Sequence, residues 1–437
     1  MRLELTPRRF SDAHPDSYYA ASAVGARRRV RLTGRIDSDV CIVGAGFTGL
    51  SAALFLAEAG CNVAVVEAAR VGWGASGRNG GQAINGFVGS LDRIRKTLGS
   101  AAAEGIRAMA GEGVAIIRQR VAEYGIDCDL RDGSLAAACH GKHMRSLETQ
   151  HLSHSQGTKR DELELLDRAG MARHVGSESY CGGLLDRSGG HVHPLNLALG
   201  EAAAFESLGG AVYENSPATS IECGGRRVRV RTAEGEVQCR KLLLCGNAYL
   251  EIDGHDMSRR ILPTWSEIVA TEPLDDGLAG ELLPTNAAVY DMRFIPDYFR
   301  LSADRRMLFG CSANYGGLGK RPVGQLPEAH MGKVFPQLRS ARIEYRWDGM
   351  FAVTSNRFPQ LGFIAENMLY GRAYSGQGVN CAHLFGRLLA EAVDGDTSRF
   401  DLFAALPQPI IPGGASLRSL VTTGAAWWYR FKDRFGL

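Results

Sequence analysis

The sequence predicts an α/β chain built around a dinucleotide-binding βαβ unit, with a second, strand-rich unit set into it. Three observations predict this. A short apolar strand runs into G-x-G-x-x-G and a helix at residues 40–60. A second glycine-rich loop follows the next strand at once. Strand, glycine turn and helix then return at residues 368–393.

The first 35 residues are polar and arginine-rich, with Arg27-Arg28-Arg29 reading as a solvated charge cluster on an arm over the surface. Val40-Cys-Ile-Val43 is an apolar, β-branched run, the pattern of a buried parallel strand. Gly44, Gly46 and Gly49 follow, and Leu50, Ala53, Leu54 and Ala57 recur at helical spacing until Gly60. Gly44 allows the tight turn, Gly46 lets a pyrophosphate approach backbone, and Gly49 lets helix pack on strand. The phosphates then lie on free N–H groups of Ala45, Phe47 and Thr48 at the positive helix end. The next strand, Asn62–Val66, ends in Glu67 and Ala68, where an acid reaches ribose hydroxyls. Such an acid suits NAD or FAD and disfavours NADP.

Composition narrows the class. A chain of 437 residues implies two or three globular units. The apolar fraction of 45% and charged fraction of 22% are ordinary for a soluble protein, and a net charge of +3 gives no case for nucleic acid. Ten cysteines without a C-x-x-C pair fit a reducing cytoplasm better than a disulfide framework. No signal-peptide core or transmembrane run occurs, so the expected location is cytoplasmic.

Gly72-Trp-Gly-Ala-Ser-Gly-Arg-Asn-Gly-Gly-Gln82 is too glycine-dense for core packing. Gly74, Ala75, Gly80 and Gly81 form a backbone concavity able to approach a planar ring, and Ser76, Arg78, Asn79 and Gln82 add donors. Helices are expected over Ser90–Tyr124 and Ala198–Leu208, and a hairpin leading into a buried strand over Val228–Cys245. From Ile261 to Phe309 the pattern is antiparallel strand. Near the end, Gly376-Gln377-Gly378, with Val379 and Asn380, opens an alanine- and leucine-rich helix. A reduced flavin is negative around N1 and its C2 carbonyl, and a helix N-terminus stabilises that charge. A nicotinamide has no such need, so this second helix start argues for FAD.

These motifs carry a resemblance. Glu67–Gly81, Gly190-His-Val-His-Pro-Leu195, Gly246-Asn-Ala-Tyr-Leu250, Ala270-Thr-Glu-Pro-Leu274, Arg342–Trp347 and Gly376–Asn380 resemble the gamma-glutamylputrescine oxidase branch of the D-amino-acid oxidase and glycine oxidase superfamily. The L-pipecolate oxidases resemble the same pattern. The likeness runs from about Tyr18 to Phe431. It implies a GR2-type Rossmann-like FAD domain from discontinuous segments (36–92, 189–250 and 344–404), and an antiparallel-sheet substrate domain (93–188 and 251–343). Residues 1–35 and 405–437 are then arm and tail. It also implies that Ala218 occupies a strand against the adenine and that Gly246 joins the cofactor set.

The activity implied is oxidation of a C–N bond by hydride transfer to flavin N5. The resulting imine hydrolyses to an aldehyde or ketone and ammonia, and oxygen, or a quinone, takes the electrons. The substrate is expected to be gamma-glutamylputrescine or a related aliphatic amine. An L-pipecolate or other secondary amino acid is the alternative, and a non-catalytic flavin-binding subunit or redox sensor is the alternative of another class. No acid–base residue is obligatory, and none is assigned. Arg300 would clamp a carboxylate bidentately, with Tyr298, Trp265 and Gln82 walling the amine pocket. Trp347–Asn356 lacks a cysteine, so the FAD is expected to be non-covalent. His140, His143, His151 and His154, with Cys139, read as a polar surface helix, and no metal is expected. In the tail, Leu420, Gly424, Trp427, Phe431 and Phe435 share a face. That face fits docking on the protein or a partner subunit better than peripheral contact with a membrane.

Overall fold

The computed structural model describes residues 1–6, 8, 10–154, 162–315 and 326–411, so the tail expected to be an amphipathic helix lies outside the described residues. The chain opens with β1 (Arg2–Glu4) and α1 (Tyr18–Ala21). It continues through β2 (Gly34–Val43), α2 (Phe47–Glu58), β3 (Val63–Val66) and the short β4 (Gln82–Ala83). Helices α3 (Leu91–Leu98), α4 (Ser100–Ala108) and α5 (Glu112–Tyr124) precede β5 (Arg131–Ala138), α6 (Gly141–His154), β6 (Leu163–Asp167), α7 (Arg168–Ala172) and β7 (Gly182–His191). Next come α8 (Pro194–Ser207), β8 (Ala211–Tyr213), β9 (Ser220–Gly224), β10 (Arg227–Arg231) and β11 (Gly235–Leu244). The second half holds β12 (Leu262–Thr271), α9 (Asp276–Leu282), β13 (Ala288–Asp291), β14 (Tyr298–Leu301) and β15 (Met307–Tyr315). It ends with α10 (Pro327–Val334), β16 (Ile343–Val353), β17 (Gln360–Ala365), β18 (Met368–Arg372), α11 (Gly378–Asp394) and α12 (Ser398–Ala404).

Among the described residues two nine-stranded sheets form. In the first, β11, β2, β3 and β8 are parallel neighbours, with Leu244 opposite Val43, Val40 opposite Val63 and Ala64 opposite Ala211. The last four residues of β2 and all of β3 are buried, as a strand covered on both faces requires. One edge of β11 is shared: Val228 of β10 pairs antiparallel with Cys239, and Met368 of β18 pairs parallel with Leu242. The sheet therefore forks, and β18 delivers the chain to α11 beside α2.

Those two helices touch closely. A Cβ on Gly386 would stand 2.5 Å from Ser51 Cβ, and Ser51 Oγ donates to the His383 carbonyl at 2.8 Å. Both helices also share the largest apolar core with α4, α5 and α8. Residues 93–124, expected in the substrate domain, thus pack their apolar faces (Ile94, Ile106, Val114, Ile117) on the cofactor-side helices.

The second sheet runs β16-β12-β15-β14-β13-β5-β7-β4. It was expected to be antiparallel, and it is mixed: β13 pairs parallel with β5, Val289 facing Leu135. Two segments expected in the cofactor domain also join it. β16 pairs along β12, and Gln82 of β4 pairs with His191 of β7. Both couple the glycine loop of residues 72–82 to the substrate sheet. The arm is no loose strap either. β1 pairs antiparallel with β9, Tyr18 and Tyr19 are buried, and the Arg29 guanidinium is buried against Glu206 and Glu214. Arg29 has left water because two carboxylates await it, which corrects the solvated cluster at that one position, while Arg27 and Arg28 are exposed as expected.

Candidate active site

A cavity of about 1090 Å³ lies between the two sheets and is lined by residues of both. Single drug-sized ligands occupy about 300–1,000 Å³, so this space suits a dinucleotide with room beyond it.

The glycine turn after β2 is as tight as its sequence requires. Gly44 has φ +110°, and a Cβ there would stand 3.0 Å from the Cys245 carbonyl. A Cβ on Gly49 would lie 2.0 Å from the Gly44 oxygen, so Gly49 serves the packing of helix on turn and does not itself line the cavity. Gly44, Ala45, Gly46, Phe47 and Thr48 do line it. Glu67, at the end of β3, accepts from Ala45 N–H at 2.7 Å and Ala69 N–H at 2.9 Å. Burial pushes its carboxyl up, and those N–H groups pull against it. Each oxygen keeps a lone pair for a hydroxyl.

The loop of residues 72–82 is stapled to this turn and to itself. Ser76 Oγ accepts from Phe47 N–H at 3.0 Å. Asn79 donates to the carbonyls of Ala75 (3.0 Å) and Ser76 (2.9 Å) and accepts from Gly81 N–H at 2.7 Å. Arg78 lies over the Trp73 ring at 4.2 Å and donates from Nε to the Trp73 carbonyl at 2.7 Å. Its Nη2 is buried without a hydrogen-bond partner among the described residues. Across the cavity Gly376 has φ +112°, and Ala373 (φ +63°) and Ser375 (φ +52°) are also left-handed. That strain is held by Asn247 Oδ1, which accepts from Ala373 N–H at 2.9 Å. Helix α11 begins there with Gln377 as N-cap and no side-chain cap, and Gln377 Oε1 is likewise buried and unpartnered.

These features fit FAD. Two uncapped helix N-termini meet one cavity, and a buried cationic nitrogen and a buried amide oxygen lack partners, a costly state without a ligand. Of the other expected contacts, Ala68, Gly74, Ala75, Gly80, Gln82, Ala218, Gly246, Gly378, Val379 and Asn380 line the cavity. Ala218 does so from the turn before β9 rather than from a strand. The Asn380 side chain faces α5: it accepts from Val114 N–H at 3.0 Å and donates to the Gly86 carbonyl at 2.9 Å.

The substrate candidates divide. Tyr298 lines the cavity, with Oη 2.9 Å from Ser266 Oγ, and burial pushes its phenol well up, so it stays protonated. Gln82 lines it too and donates to the Val289 carbonyl at 2.9 Å. Trp265 does not, packing instead beside Ala248, Ile261 and Met350. Arg300 does not either, which corrects the proposed carboxylate clamp. Its guanidinium donates to the carbonyls of Gly80 (2.8 Å), Val192 (2.9 Å) and Leu301 (3.1 Å) and to Tyr19 Oη (3.2 Å). No free fork remains, because Arg300 is spent holding the glycine loop. A Cβ on Gly81 (φ +74°), which also stays behind the wall, would stand 2.9 Å from Arg300 Nη2.

Several residues of the wall were not foreseen. Glu4, Leu5, Thr6, Arg8 and Phe10 of the arm line one end of the cavity; the Leu3/Leu5 alternation that makes β1 was the available signal. Residues 290–296 and Tyr298, between and including the ends of β13 and β14, line the other, with Cys311 and Arg357. There Arg293 bonds Asp291 and, at 2.9 Å, Asp297, whose other oxygen meets His330 Nδ1 at 2.9 Å. Burial pushes the Asp291 carboxyl up to about 7, with Arg293 opposing it. Asp297, His330 and Cys311 bring three metal-ligating atoms within 4.8 Å of one another. Among the expected surface histidines, His140 and His143 stack at 3.7 Å and Nδ1 of His143 accepts from Cys139 N–H, while the His154 side chain is outside the described set. No helix of the described residues is long and apolar enough to cross a membrane.

Comparison with known proteins agrees with this geometry. The chain is 45% identical over 426 residues to gamma-glutamylputrescine oxidoreductase of Escherichia coli (strain K12), spanning 97% of this chain and 99% of that protein. It is 38% identical over 426 residues to the probable oxidoreductase OrdL of Haemophilus influenzae (strain ATCC 51907 / DSM 11121 / KW20 / Rd), spanning 97% and 98%. Its fold matches the crystal structure of glycine oxidase from Geobacillus kaustophilus with a TM-score of 0.70 at 21% identity, covering 85% of this chain and 99% of that one. The family model described as DAO, FAD dependent oxidoreductase, matches residues 39–392, and the chain, an FAD-dependent enzyme of amine or amino-acid oxidation, belongs to that family.

Proposed function

We propose that the enzyme oxidises the primary amine of gamma-glutamylputrescine or a closely related aliphatic amine, with dioxygen as acceptor. The observation that carries this reading is the 45% identity, over 97% of this chain, to a gamma-glutamylputrescine oxidoreductase. The amine carbon gives up a hydride and the nitrogen a proton, leaving an imine that water hydrolyses to an aldehyde and ammonia. Bound FAD supplies the two-electron acceptor for that step, and dioxygen leaves as hydrogen peroxide.

The chain's part is to bind, orient and desolvate. Gly44–Thr48 and Glu67 would hold the phosphates and the adenine-side ribose, and Arg78 and Gln377 would spend their unpartnered atoms on polar edges of the cofactor. Tyr298, protonated and tied to Ser266, walls the reacting end without serving as a base. The cofactor is held without a covalent bond: Cys245, one of two cysteines on the wall, is buried, and burial alone pushes its thiol far up, away from the reactive thiolate.

The test is anaerobic mixing of the holoenzyme with gamma-glutamylputrescine, putrescine and L-pipecolate. Rapid bleaching of the flavin by the first is expected. Bleaching by L-pipecolate alone, or by none, would overturn the reading. A peroxide assay beside a quinone-dye assay identifies the acceptor.

A further inference from the structure

We propose that Arg357 and Phe294 form an anion subsite at the substrate end of the cavity, which takes a carboxylate remote from the oxidised carbon. The inference rests on the amine-oxidation reading and specifies the substrate's other end.

Arg357 stands on the turn between β16 and β17 with φ +67°, a left-handed conformation that glycine adopts freely and a long side chain does not. The turn around it is over-determined. Arg357 N–H donates to the Thr354 carbonyl at 3.2 Å, Thr354 Oγ1 donates to the Phe358 carbonyl at 2.8 Å, and Asn356 Nδ2 donates to the Pro407 carbonyl at 2.6 Å. A strained arginine, held rigidly on a cavity wall, marks a place where the side chain is wanted.

Its charge is also unspent. Three other arginines line the cavity: Arg8 pairs with Glu251 at 3.1 Å, Arg293 is bonded to Asp291 and Asp297, and Arg78, bonded to the Trp73 carbonyl and stacked on that ring within the glycine loop, keeps a buried Nη2 that is assigned above to the cofactor. Arg357 has no carboxylate or carbonyl partner for its guanidinium among the described residues, and its carbon Cζ lies 4.5 Å from the centre of the Phe294 ring. Phe294 comes from the β13–β14 connection of the second sheet, so the pair sits at the end away from the phosphate turn. A guanidinium stacked on an aromatic face is partly dehydrated and pre-oriented, and its edge still presents two parallel N–H groups, the geometry of a carboxylate fork. Of the acids in this region, Asp291 and Asp297 share the Arg293 guanidinium and Asp297 also meets His330 Nδ1 at 2.9 Å, so both carboxylates are engaged away from Arg357, whose single guanidinium suits a monoanion.

The test compares three amines on the holoenzyme by anaerobic flavin reduction: gamma-glutamylputrescine, glutarylputrescine (carboxylate kept, α-amine removed) and 4-aminobutanoylputrescine (carboxylate removed). The wild type should prefer the first two. In Arg357→Gln that preference, taken as a ratio of kcat/KM values, should fall about 10- to 100-fold, the range for a lost charged hydrogen bond. Arg357→Lys should retain part of it. Flavin content checks that each variant is folded, and damage to the fold alone would lower all three rates together and leave the ratio unchanged. An unchanged ratio would overturn the subsite. If no amine reduces the wild type, the function reading has failed but the subsite remains testable. Calorimetric titration of wild-type and Arg357→Gln holoprotein with N-butylglutaramate should then show at least 10-fold weaker binding by the variant, and equal or absent binding would overturn the proposal.

Discussion

The Glu201 carboxylate and the His383 imidazole meet at 2.9 Å in the core beneath the cofactor turn, with neither side chain exposed. His383 Nδ1 is 2.5 Å from the Val379 carbonyl, so both ring nitrogens of this buried imidazole have oxygen partners. The second Glu201 oxygen has no partner among the described residues.

Breaking such a pair leaves the buried Nε2 of His383 without its partner, in a medium that cannot solvate it, and a cavity where the carboxylate stood. Glu201→Ala should destabilise the holoprotein by about 3–5 kcal/mol. Urea unfolding followed by tryptophan fluorescence measures this, and a midpoint within error of wild type would show that the pair contributes nothing.

Arg78 offers a readout of the cofactor itself. Its buried Nη2 is the cation most in need of a partner in the cavity. Arg78→Gln should weaken FAD binding about 10- to 100-fold, judged by the loss of a charge-assisted hydrogen bond. Apoprotein titrated with FAD, followed by flavin fluorescence, gives the two constants.

Two glycines separate space from conformation. Gly49→Ala puts a Cβ 2.0 Å from a backbone oxygen that cannot move without breaking the phosphate turn, so the purified protein should carry little FAD. Gly376→Ala meets no atom within 4 Å but must hold φ +112°, costing about 1–3 kcal/mol of stability. Flavin-to-protein absorbance ratios should separate the pair, with cofactor content far lower in the first.

Acid stability follows from two buried histidines. Burial, then Arg300, holds His191 and His193 down at about 3, below their ordinary 6.5. A ring depressed in the folded state favours the fold above pH 6.5. That advantage erodes as pH falls towards 3, by about 1.4 kcal/mol per pH unit for each ring. Asp291, raised to about 7, works in the opposite direction over the same range, so the clean measurement is a difference. His193 caps α8 by accepting from Asn196 N–H at 3.1 Å, a role asparagine can fill. His193→Asn should therefore flatten the fall in unfolding free energy between pH 6.5 and 5 by about 1.4 kcal/mol per unit, and parallel profiles would refute the assignment.

The cofactor half of the site was legible because its determinants are local. Gly44, Gly46, Gly49 and Glu67 sit within one βαβ unit, and Gly376–Gly378 stand at the head of one helix. In both places the chemistry of a helix N-terminus is written in neighbouring residues. Arg300 shows where such reading stops. A strand arginine beside a cavity looks the same in sequence whether its fork is free or spent, and only the arrival of the Gly80, Val192 and Leu301 carbonyls decided that it is spent. Trp265 was decided the same way, by the cluster of Ala248, Ile261 and Met350 that claimed its ring. The arm could not be placed on the cavity before β1 was seen to pair with β9. By itself, then, the sequence determined the nucleotide-binding turn, the flavin loop and the class of chemistry, since short-range backbone requirements leave fixed spacings. Which arginine keeps an unbonded guanidinium on the cavity wall, Arg357 rather than Arg300, only the tertiary structure decided, because hydrogen-bond saturation depends on partners far away in the chain.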